Sequence, residues 1–319
     1  MKDVTRAVLM LILFLSAGCR SIAGDPVLRL TLKAVDDEGH PIEGAKAGFG
    51  GERRPKNPDE SSRGVWIEGM TDAQGFFRGE LEVWNATQSG YTVEKSGYYP
   101  VTQHSYSAKS VVRDKWQPWN PTIEVILKRI KHPVPMYAKR VEGKLPALGV
   151  SVAYDFQVGD WVAPHGKGQI ADMIFVGTVD MRGDRDFDYD LKVHFSNPGD
   201  GIQRFTPEPE PSVFPSPYEA PETGYLPEWN LKRSRHGPNE QEQDTFNNKG
   251  AYFFRVRTIL DMDGKVVKAL YGKIYGDFFF MAYYLNPDGT RNIEFDPKRN
   301  LLRPAVVNNF NRMTYDVGP

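Results

Sequence analysis

The chain has 319 residues, enough for about two domains at roughly 150 residues each. Its hydrophobic fraction of 40% and charged fraction of 25% are those of a globular protein that can bury a sizeable core. A formal net charge of -1 argues against the strongly basic surfaces that bind nucleic acid or anionic membranes. The 30 glycines and 24 prolines fall mostly between short apolar runs, which predicts an all-β protein rich in turns.

Residues 1–23 have the pattern of an export signal. Lys2 and Arg6 give a positively charged start and are followed by an apolar run at residues 7–15. This run is too short to span a bilayer, because a helical span needs about 20 apolar residues. The following Leu-Ser-Ala-Gly-Cys resembles a bacterial lipobox. The resemblance implies cleavage before Cys19, diacylation of its sulfur and lipid anchoring in the cell envelope, in the periplasm or at the cell surface. The alternative is cleavage after Ala23 and secretion as a soluble protein.

Cys19 is the only cysteine in the chain. An exported protein with one cysteine forms no internal disulfide, so its stability must come from core packing. Thiol catalysis and cysteine-ligated metal are excluded for the mature protein. We expect the partners to be the membrane, through the lipid, and a glycan or an envelope protein, but not nucleic acid.

Short apolar segments separated by turn residues fill the first third of the chain. At residues 27–34 apolar and polar side chains alternate, as in a half-buried strand. A turn at residues 36–39 follows, because Gly39 accepts a positive φ and the acidic side chains can cap nearby N–H groups. Further strands are predicted at residues 45–49, 65–70, 76–83, 91–94, 98–103 and 123–130.

Several motifs of this region match one family. They are Val-Asp-Asp-Glu-Gly at 35–39, Pro-Ile-Glu-Gly-Ala at 41–45, Thr71-Asp72 with Gly75 and Phe77, Lys-Ser-Gly-Tyr at 95–98, and Glu-Val-Ile-Leu-Lys at 124–128. On these residues, the region 27–130 resembles the carboxypeptidase regulatory-like domain. The resemblance implies a seven-stranded transthyretin-like, Ig-like β-sandwich in which the Thr-Asp…Gly-x-Phe element is structural. It also implies roles in adhesion, spacing or accessory packing, usually without catalysis.

An insertion between residues 99 and 123 departs from the family pattern. It contains Trp116 and Trp119 on either side of a proline. The two indoles can form an exposed stacking platform for a sugar or an aromatic ligand. The alternative is that they cover the edge of the sandwich or pack on the next domain.

A short connector at residues 131–135 contains two prolines, and a second, larger antiparallel β domain of unknown function is predicted at residues 136–319. Its clearest part is a meander from 251 to 295, with Asp-Gly turns between alternating apolar runs. Residues 201–244 form a Pro-rich loop that we expect to be irregular. Tyr225 and Trp229 suggest that this loop lies against the domain, since a solvated linker needs neither.

An acidic run lies between residues 180 and 190. Carboxylates at every second residue share one face of a strand, and a hard cation such as calcium would relieve their repulsion. The candidate calcium ligands are Asp184, Asp186, Asp188 and Asp190. Alternatively Arg182 and Arg185 neutralise the acids, and the run is a solvated turn and edge strand.

The Gly-rich segment 159–168 is a second candidate site. Asp160, His165 and Lys167 lie near Trp161 and can line a small pocket, although the spacing is not that of a phosphate-binding loop. The alternative is a tight loop whose tryptophan fills the core.

No metalloprotease or serine-hydrolase motif occurs in the sequence. We therefore expect a non-catalytic envelope lipoprotein that acts as a binding or display module, and carbohydrate is the first ligand class to test. We expect the function to be carried out by the second domain, after Pro135. The candidate stacking residues are Trp116, Trp119, Trp161, Tyr225 and Trp229. The alternatives are a glycan-active hydrolase with its site in the second domain and a structural subunit of an envelope assembly.

Overall fold

The computed structural model describes residues 24–319 except 56, 58, 208–211, 247–248 and 310. The predicted export signal and Cys19 lie outside these residues. Strands account for 53% of the chain and helix for 1%, which confirms the all-β prediction. Among the described residues, no helix is long and apolar enough to cross a membrane.

The chain divides into two compact units. The first runs up to Lys95 and includes Val101–Val125, and the second comprises Ser96–Pro100 and Ile126–Pro319. Residues 96–100 and 126–130 of the predicted sandwich, 27–130, thus fall in the second unit. The predicted connector also belongs to the second unit, because the Glu294 carboxylate accepts hydrogen bonds from the backbone N–H groups of Lys131 (2.8 Å) and His132 (2.6 Å).

The first unit contains two sheets. In chain order its strands are β1 (Val27–Asp36), β2 (Lys46–Arg53), β3 (Arg63–Met70), β4 (Phe76–Glu82), β5 (Ser89–Glu94), β6 (Val101–Tyr106), β7 (Ser110–Val112), β8 (Lys115–Gln117) and β9 (Thr122–Leu127). One sheet has the order β4-β1-β8-β7, with β9 also paired to β1, and the other has the order β3-β2-β5-β6. The insertion therefore supplies the small hairpin β7–β8, which the sequence did not predict.

Turn chemistry fixes the register of the first unit as predicted. The Asp72 carboxylate accepts hydrogen bonds from the N–H groups of Phe76 (2.8 Å) and Gln74 (3.0 Å), and Gly75 has a φ of +80°. The Thr71 hydroxyl accepts from Ala45 N–H (2.8 Å) and donates to the Ile42 carbonyl (2.6 Å). One turn thus ties β4 to the segment that leads into β2.

The second unit also contains two sheets. Its strands are β10 (Val134–Glu142), β11 (Ser151–Asp155), β12 (Asp160–Trp161), β13 (Met173–Gly183), β14 (Asp186–His194), β15 (Gly201–Phe205), β16 (Glu228–His236), β17 (Gln243–Asp244), β18 (Ala251–Leu260), β19 (Val266–Gly276), β20 (Phe280–Asn286) and β21 (Phe295–Asn300), followed by the helix α1 (Arg312–Tyr315). The sheet orders are β15-β18-β19-β20-β10-β21 and β12-β11-β13-β14-β16-β17. Phe156, Phe175, Phe254 and Tyr283 are central to its largest apolar core.

The segment 201–244 is more regular than its prolines suggested. It contains β15, β16 and β17, and Ile202 of β15 and Leu231 of β16 bring apolar side chains into the core. The described prolines between β15 and β16 are Pro207, Pro215, Pro217, Pro221 and Pro227, and no ladder hydrogen bond is required of them there.

Candidate functional site

The predicted stacking residues do not form one surface. In the first unit, Trp116 is only 8% exposed, and its indole N–H donates to the Val83 carbonyl at 2.9 Å. Trp119 is half-buried, with the Lys115 ammonium 4.6 Å from its ring centroid. The structure therefore favours the interpretation in which these tryptophans cover the sandwich.

The three predicted stacking residues of the second unit are also half-buried. Trp161 packs edge-to-face against Tyr154, with ring centroids 5.2 Å apart, and Trp229 packs in the same way on Tyr252 at 5.6 Å. The Tyr225 hydroxyl donates to the Pro221 carbonyl at 2.9 Å. Each ring thus packs separately against its own part of the unit.

The acidic run forms the hairpin β13–β14, and three of its carboxylates already have cationic partners. The Arg182 guanidinium contacts Asp180, Asp186 (2.9 Å) and Asp188 (2.7 Å), and the Lys232 ammonium lies 3.2 Å from Asp188. The hydrogen bond from Arg182 lowers the pKa of the Asp188 carboxyl. Asp184 and Asp190 are exposed. Within the described residues, no group of three or more His, Cys, Asp or Glu side chains is arranged to hold a metal ion.

The segment 159–168 is a tight loop that the Asp160 carboxylate closes. Its two oxygens accept from the N–H groups of Trp161 (2.9 Å) and Lys167 (3.0 Å). His165 and Lys167 point outward, so they do not join Trp161 in a pocket. A small cleft of about 400 Å³ lies beside the loop and is lined by Lys139, Tyr154, Asp160 and Trp161, among others. Burial lowers the pKa of the Lys139 ammonium there.

An exposed tryptophan of the first unit that was not among the predicted stacking residues is Trp66 on β3. Trp66 is 45% exposed, and it pairs directly across the sheet with Gly50 of β2. Successive residues of β2 point to opposite faces of the sheet. Phe49 is directed inward, where its ring lies close to Gly79 of β4, so Gly50 and Trp66 face outward.

A strip of glycines lies beneath the Trp66 ring. A Cβ atom on Gly50 would lie 2.5 Å from Trp66 Cε3, one on Gly48 would lie 2.7 Å from Trp66 Nε1, and one on Gly90 would lie 4.0 Å from Trp66 Cζ3. The indole therefore lies flat along β2 and reaches toward β5. One ring face rests on glycine backbone and the other is open to solvent. We call Trp66 with Gly48, Gly50 and Gly90 the Trp66 platform.

Polar side chains surround the Trp66 platform. Glu68 follows on the same face of β3, and its carboxylate lies 3.1 Å from the Lys46 ammonium. Thr92 of β5 pairs with Gly48 and so shares this face. A carboxylate, an ammonium and a hydroxyl thus border one end of an exposed indole.

A cleft of about 840 Å³ adjoins the Trp66 platform, and Trp66 is part of its wall. Its charged lining consists of three arginines and one glutamate: Arg53, Arg54, Arg63 and Glu60. Arg53 and Arg63 are paired across β2 and β3 on the face of Phe49, opposite to the Trp66 ring, and Arg54 lies 3.5 Å from Asp25. We call this lining the arginine cleft. Its charge is predominantly positive.

Trp66 was not among the predicted stacking residues, because it lies in the predicted strand 65–70 and they lie in segments predicted to be loops. The sequence of β2 does contain an indication: Gly48 and Gly50 are two residues apart, so one face of the strand has no side chains at these positions. A tryptophan on a neighbouring strand can lie flat only over such a face. The register between β2 and β3, which the sequence did not supply, decides that Trp66 is that tryptophan.

Comparison with known proteins gives no family for this chain. No family model and no curated protein matches it. Among solved structures, 3-chlorocatechol 1,2-dioxygenase from Rhodococcus opacus 1CP aligns with 35% of this chain and 63% of its own, at 13% identity and a TM-score of 0.26. The chain thus matches less than two thirds of that enzyme's length.

Two further structures align over more of the chain. A protein from Bacteroides uniformis ATCC 8492, provisionally described as carbohydrate-binding, is 9% identical over 84% of this chain and 94% of its own, with a TM-score of 0.21. A streptococcal ancillary pilin is 10% identical over 84% of this chain and 61% of its own, with a TM-score of 0.20. At these TM-scores, none of the three assigns a function to this chain.

Proposed function

We propose that this protein is a non-catalytic carbohydrate-binding module of the bacterial cell envelope, anchored by lipid at Cys19. The saccharide stacks on the Trp66 platform. The observation that supports this proposal is an indole laid flat on glycine backbone, in a residue that is 45% exposed and bordered by polar groups.

The chemistry of a pyranose fits this arrangement. One face of the sugar ring presents C–H groups, which carry partial positive charge and are attracted to the electron-rich face of an indole. The hydroxyl groups project from the rim of the sugar toward carboxylate, ammonium and hydroxyl partners. Lys46, Glu68 and Thr92 supply those partners at the border of the platform.

The arginine cleft favours an acidic saccharide. Guanidinium groups form two parallel hydrogen bonds with a carboxylate or a sulfate. Arg53 and Arg63 lie on the sheet face opposite the Trp66 ring, so they would favour a uronic-acid or sulfated chain where that chain passes the ends of β2 and β3 into the cleft. Ions in solution screen exposed charges, and this part of the affinity should fall as salt is added.

Isothermal titration of the mature protein with oligogalacturonate and with a neutral glucan oligosaccharide tests the proposal. We expect Trp66→Ala to weaken binding about tenfold or more, since tenfold corresponds to about 1.4 kcal/mol. Trp84→Ala is the matched control, because Trp84 is 41% exposed in the same unit but does not lie on the platform. Equal losses in both variants, or no binding of either sugar, would contradict the proposal.

Replacing the two paired arginines separates charge from stacking. The double variant Arg53→Gln, Arg63→Gln should lose affinity for oligogalacturonate and keep its affinity for the neutral glucan. Equal effects on both ligands would remove the preference for acidic sugars.

Lipid anchoring has its own test. Cells fed an alkyne-tagged fatty acid should label the native chain, and Cys19→Ser should abolish the label and release the protein from membranes. An unlabelled mature protein that begins at Gly24 would instead establish cleavage after Ala23.

A further inference from the structure

The second unit contains an apolar cavity of about 740 Å³ that the proposed function does not use. It lies among the loop that follows β10, the paired strands β13, β14 and β16, and the turn between β19 and β20. All of its lining residues belong to the second unit. Cavities of this size commonly hold small organic molecules.

Strand register explains why the cavity exists. Gly177, Leu191 and Leu231 form one cross-strand row of β13, β14 and β16, and both leucines are buried in the core. The next row on the same face is Val179, Tyr189 and Arg233. The inner face of this sheet therefore continues past the closed core, and the row that continues it forms one wall of the cavity.

Aromatic rings and leucines form the remaining walls. Tyr189, Phe246 and Phe279 make a mutual cluster with ring centroids 5.4 to 5.6 Å apart. Leu145 and Leu148 cover Gly177, since a Cβ on that glycine would lie 2.6 Å and 3.2 Å from their methyl groups. Leu148 and Phe280 are 53% and 62% exposed although both line the cavity. Apolar surface is thus left open to solvent here.

Most of the charges at the cavity have partners. Arg233 lies 2.7 Å from the Asp244 carboxylate, and the Asp277 carboxylate accepts from the N–H groups of Phe279 (3.1 Å) and Phe280 (3.0 Å). Lys144 is exposed at the cavity and, within the described part of the chain, forms no ion pair. The Tyr189 hydroxyl also lines the cavity, and burial raises its pKa to about 12, so it remains a hydrogen-bond donor at neutral pH.

We propose that this cavity binds a fatty-acid-like amphiphile, whose apolar chain lies on the rings of Tyr189, Phe246 and Phe279 and whose carboxylate pairs with Lys144. The apolar walls require a hydrocarbon body. Lys144 is available to pair with an anionic head group, whereas the Asp277 carboxylate already accepts two backbone N–H groups.

Titration of the full mature chain with laurate, below its micelle concentration, tests this inference. Val179→Trp and Leu148→Trp each place a bulky ring in the cavity from an exposed position, and we expect either to weaken laurate binding at least tenfold. Val267→Trp is the matched control, because Val267 is exposed on β19 and does not line the cavity. Weakened binding in the first two variants alone supports the inference. Equal effects in all three overturn it.

Head-group selectivity is measured with laurate, decanol and dodecyltrimethylammonium. We expect Lys144→Gln to weaken laurate binding about fivefold and to leave decanol binding unchanged, whereas Lys268→Gln should change neither. Absence of laurate binding, or tighter binding of the ammonium amphiphile, overturns the inference. A dimer in sedimentation that Val179→Trp abolishes would show instead that a second copy of the chain covers this surface.

Saccharide binding separates this inference from the proposed function. Val179→Trp should bind oligogalacturonate as the native protein does, and Trp66→Ala should bind laurate normally. Binding of either ligand can therefore be lost while binding of the other is kept, so the two proposals are tested separately.

Discussion

The two units place their unusual residues in opposite ways. The first unit lays a tryptophan on the outside of a sheet, over a strand that has no side chains there. The second unit places charge inside: Lys273 is fully buried, and Arg257 reaches two carboxylates whose side chains are almost wholly buried. In both units, whether a side chain is exposed or buried depends on the residues that it packs against. It does not depend only on whether the side chain is polar.

Breaking the buried ion cluster should have the largest effect. The Arg257 guanidinium donates to both oxygens of Asp172, at 2.8 and 2.9 Å, and to Asp155 at 3.0 Å. Arg257→Met would leave Asp172, whose pKa burial already raises, without its cation. We expect a loss of about 3–5 kcal/mol in the free energy of unfolding, measured by urea denaturation.

Arg182→Met is the control for that variant. Arg182 also contacts several carboxylates, but they lie on an exposed hairpin. Exposed pairs contribute about 1 kcal/mol or less, so this variant should remain close to native. Similar losses in both variants would show that burial does not distinguish the two clusters.

The glycine strip of the first unit should be the next most sensitive feature. A Cβ on Gly50 would lie 2.5 Å from the Val65 carbonyl oxygen as well as 2.5 Å from Trp66. The carbonyl belongs to the backbone and cannot move aside, so Gly50→Ala should cost about 1–3 kcal/mol in urea denaturation. Gly64→Ala is the control, because nothing lies within 4 Å of a Cβ at that position. If Gly50→Ala leaves the free energy of unfolding unchanged, the Val65 carbonyl oxygen and Trp66 must lie farther from position 50 than the structure shows.

Replacing the buried lysine should give a smaller effect with a distinct pH dependence. Lys273 Nζ lies 3.2 Å from the Ser216 hydroxyl and 4.4 Å from the Phe214 ring centroid. Burial, and then the positive charge of Lys128, lower the pKa of Lys273 well below its usual value of 10.5. The folded state therefore binds fewer protons than the unfolded state, and stability rises with pH between the lowered pKa and 10.5.

Lys273→Met should remove this slope. We expect the variant to be about 1 kcal/mol more stable than the native protein at pH 7, and the difference to shrink toward pH 9. Urea denaturation at the two pH values measures both quantities. A variant that is less stable at pH 7 would show that the surrounding rings stabilise the charged ammonium.

Calcium should have the smallest effect. Arg182 and Lys232 already lie beside Asp186 and Asp188, so we expect millimolar calcium to change Tm by less than about 1 °C. A larger increase that Asp184→Asn and Asp190→Asn abolish would instead support the calcium site predicted from the sequence.

Local chemistry made the fold class and the turns predictable. Alternation at residues 27–34 and the capping aspartates specify strands and turns without long-range information. The hairpin β18–β19 follows from its Asp-Gly turn in the same way. The predicted hairpin across Asp288-Gly289 is wrong, because β21 pairs in parallel with β10 and not with β20. The transthyretin-like family of the first unit remains a prediction.

The candidate sites could not be predicted, because they depend on register and on which strands are neighbours. Trp116 and Trp66 are both tryptophans in short strands, yet one donates a hydrogen bond inside the core and the other lies exposed on glycine. The apolar cavity likewise needs Arg233 beside the hairpin pair Val179 and Tyr189, and Arg233 lies 44 residues after Tyr189 in sequence. No local pattern connects them.

The glycine strip has a further consequence, which concerns entropy. An exposed tryptophan on an ordinary strand samples several rotamers, and a ligand must select one of them. Contact with Gly48 and Gly50 restricts Trp66 before any sugar arrives. The entropy cost of ordering the Trp66 side chain is then incurred during folding, and the free protein is preorganised for the proposed saccharide. Variants that loosen the strip should therefore lose affinity through a less favourable binding entropy, even where every contact to the sugar is kept.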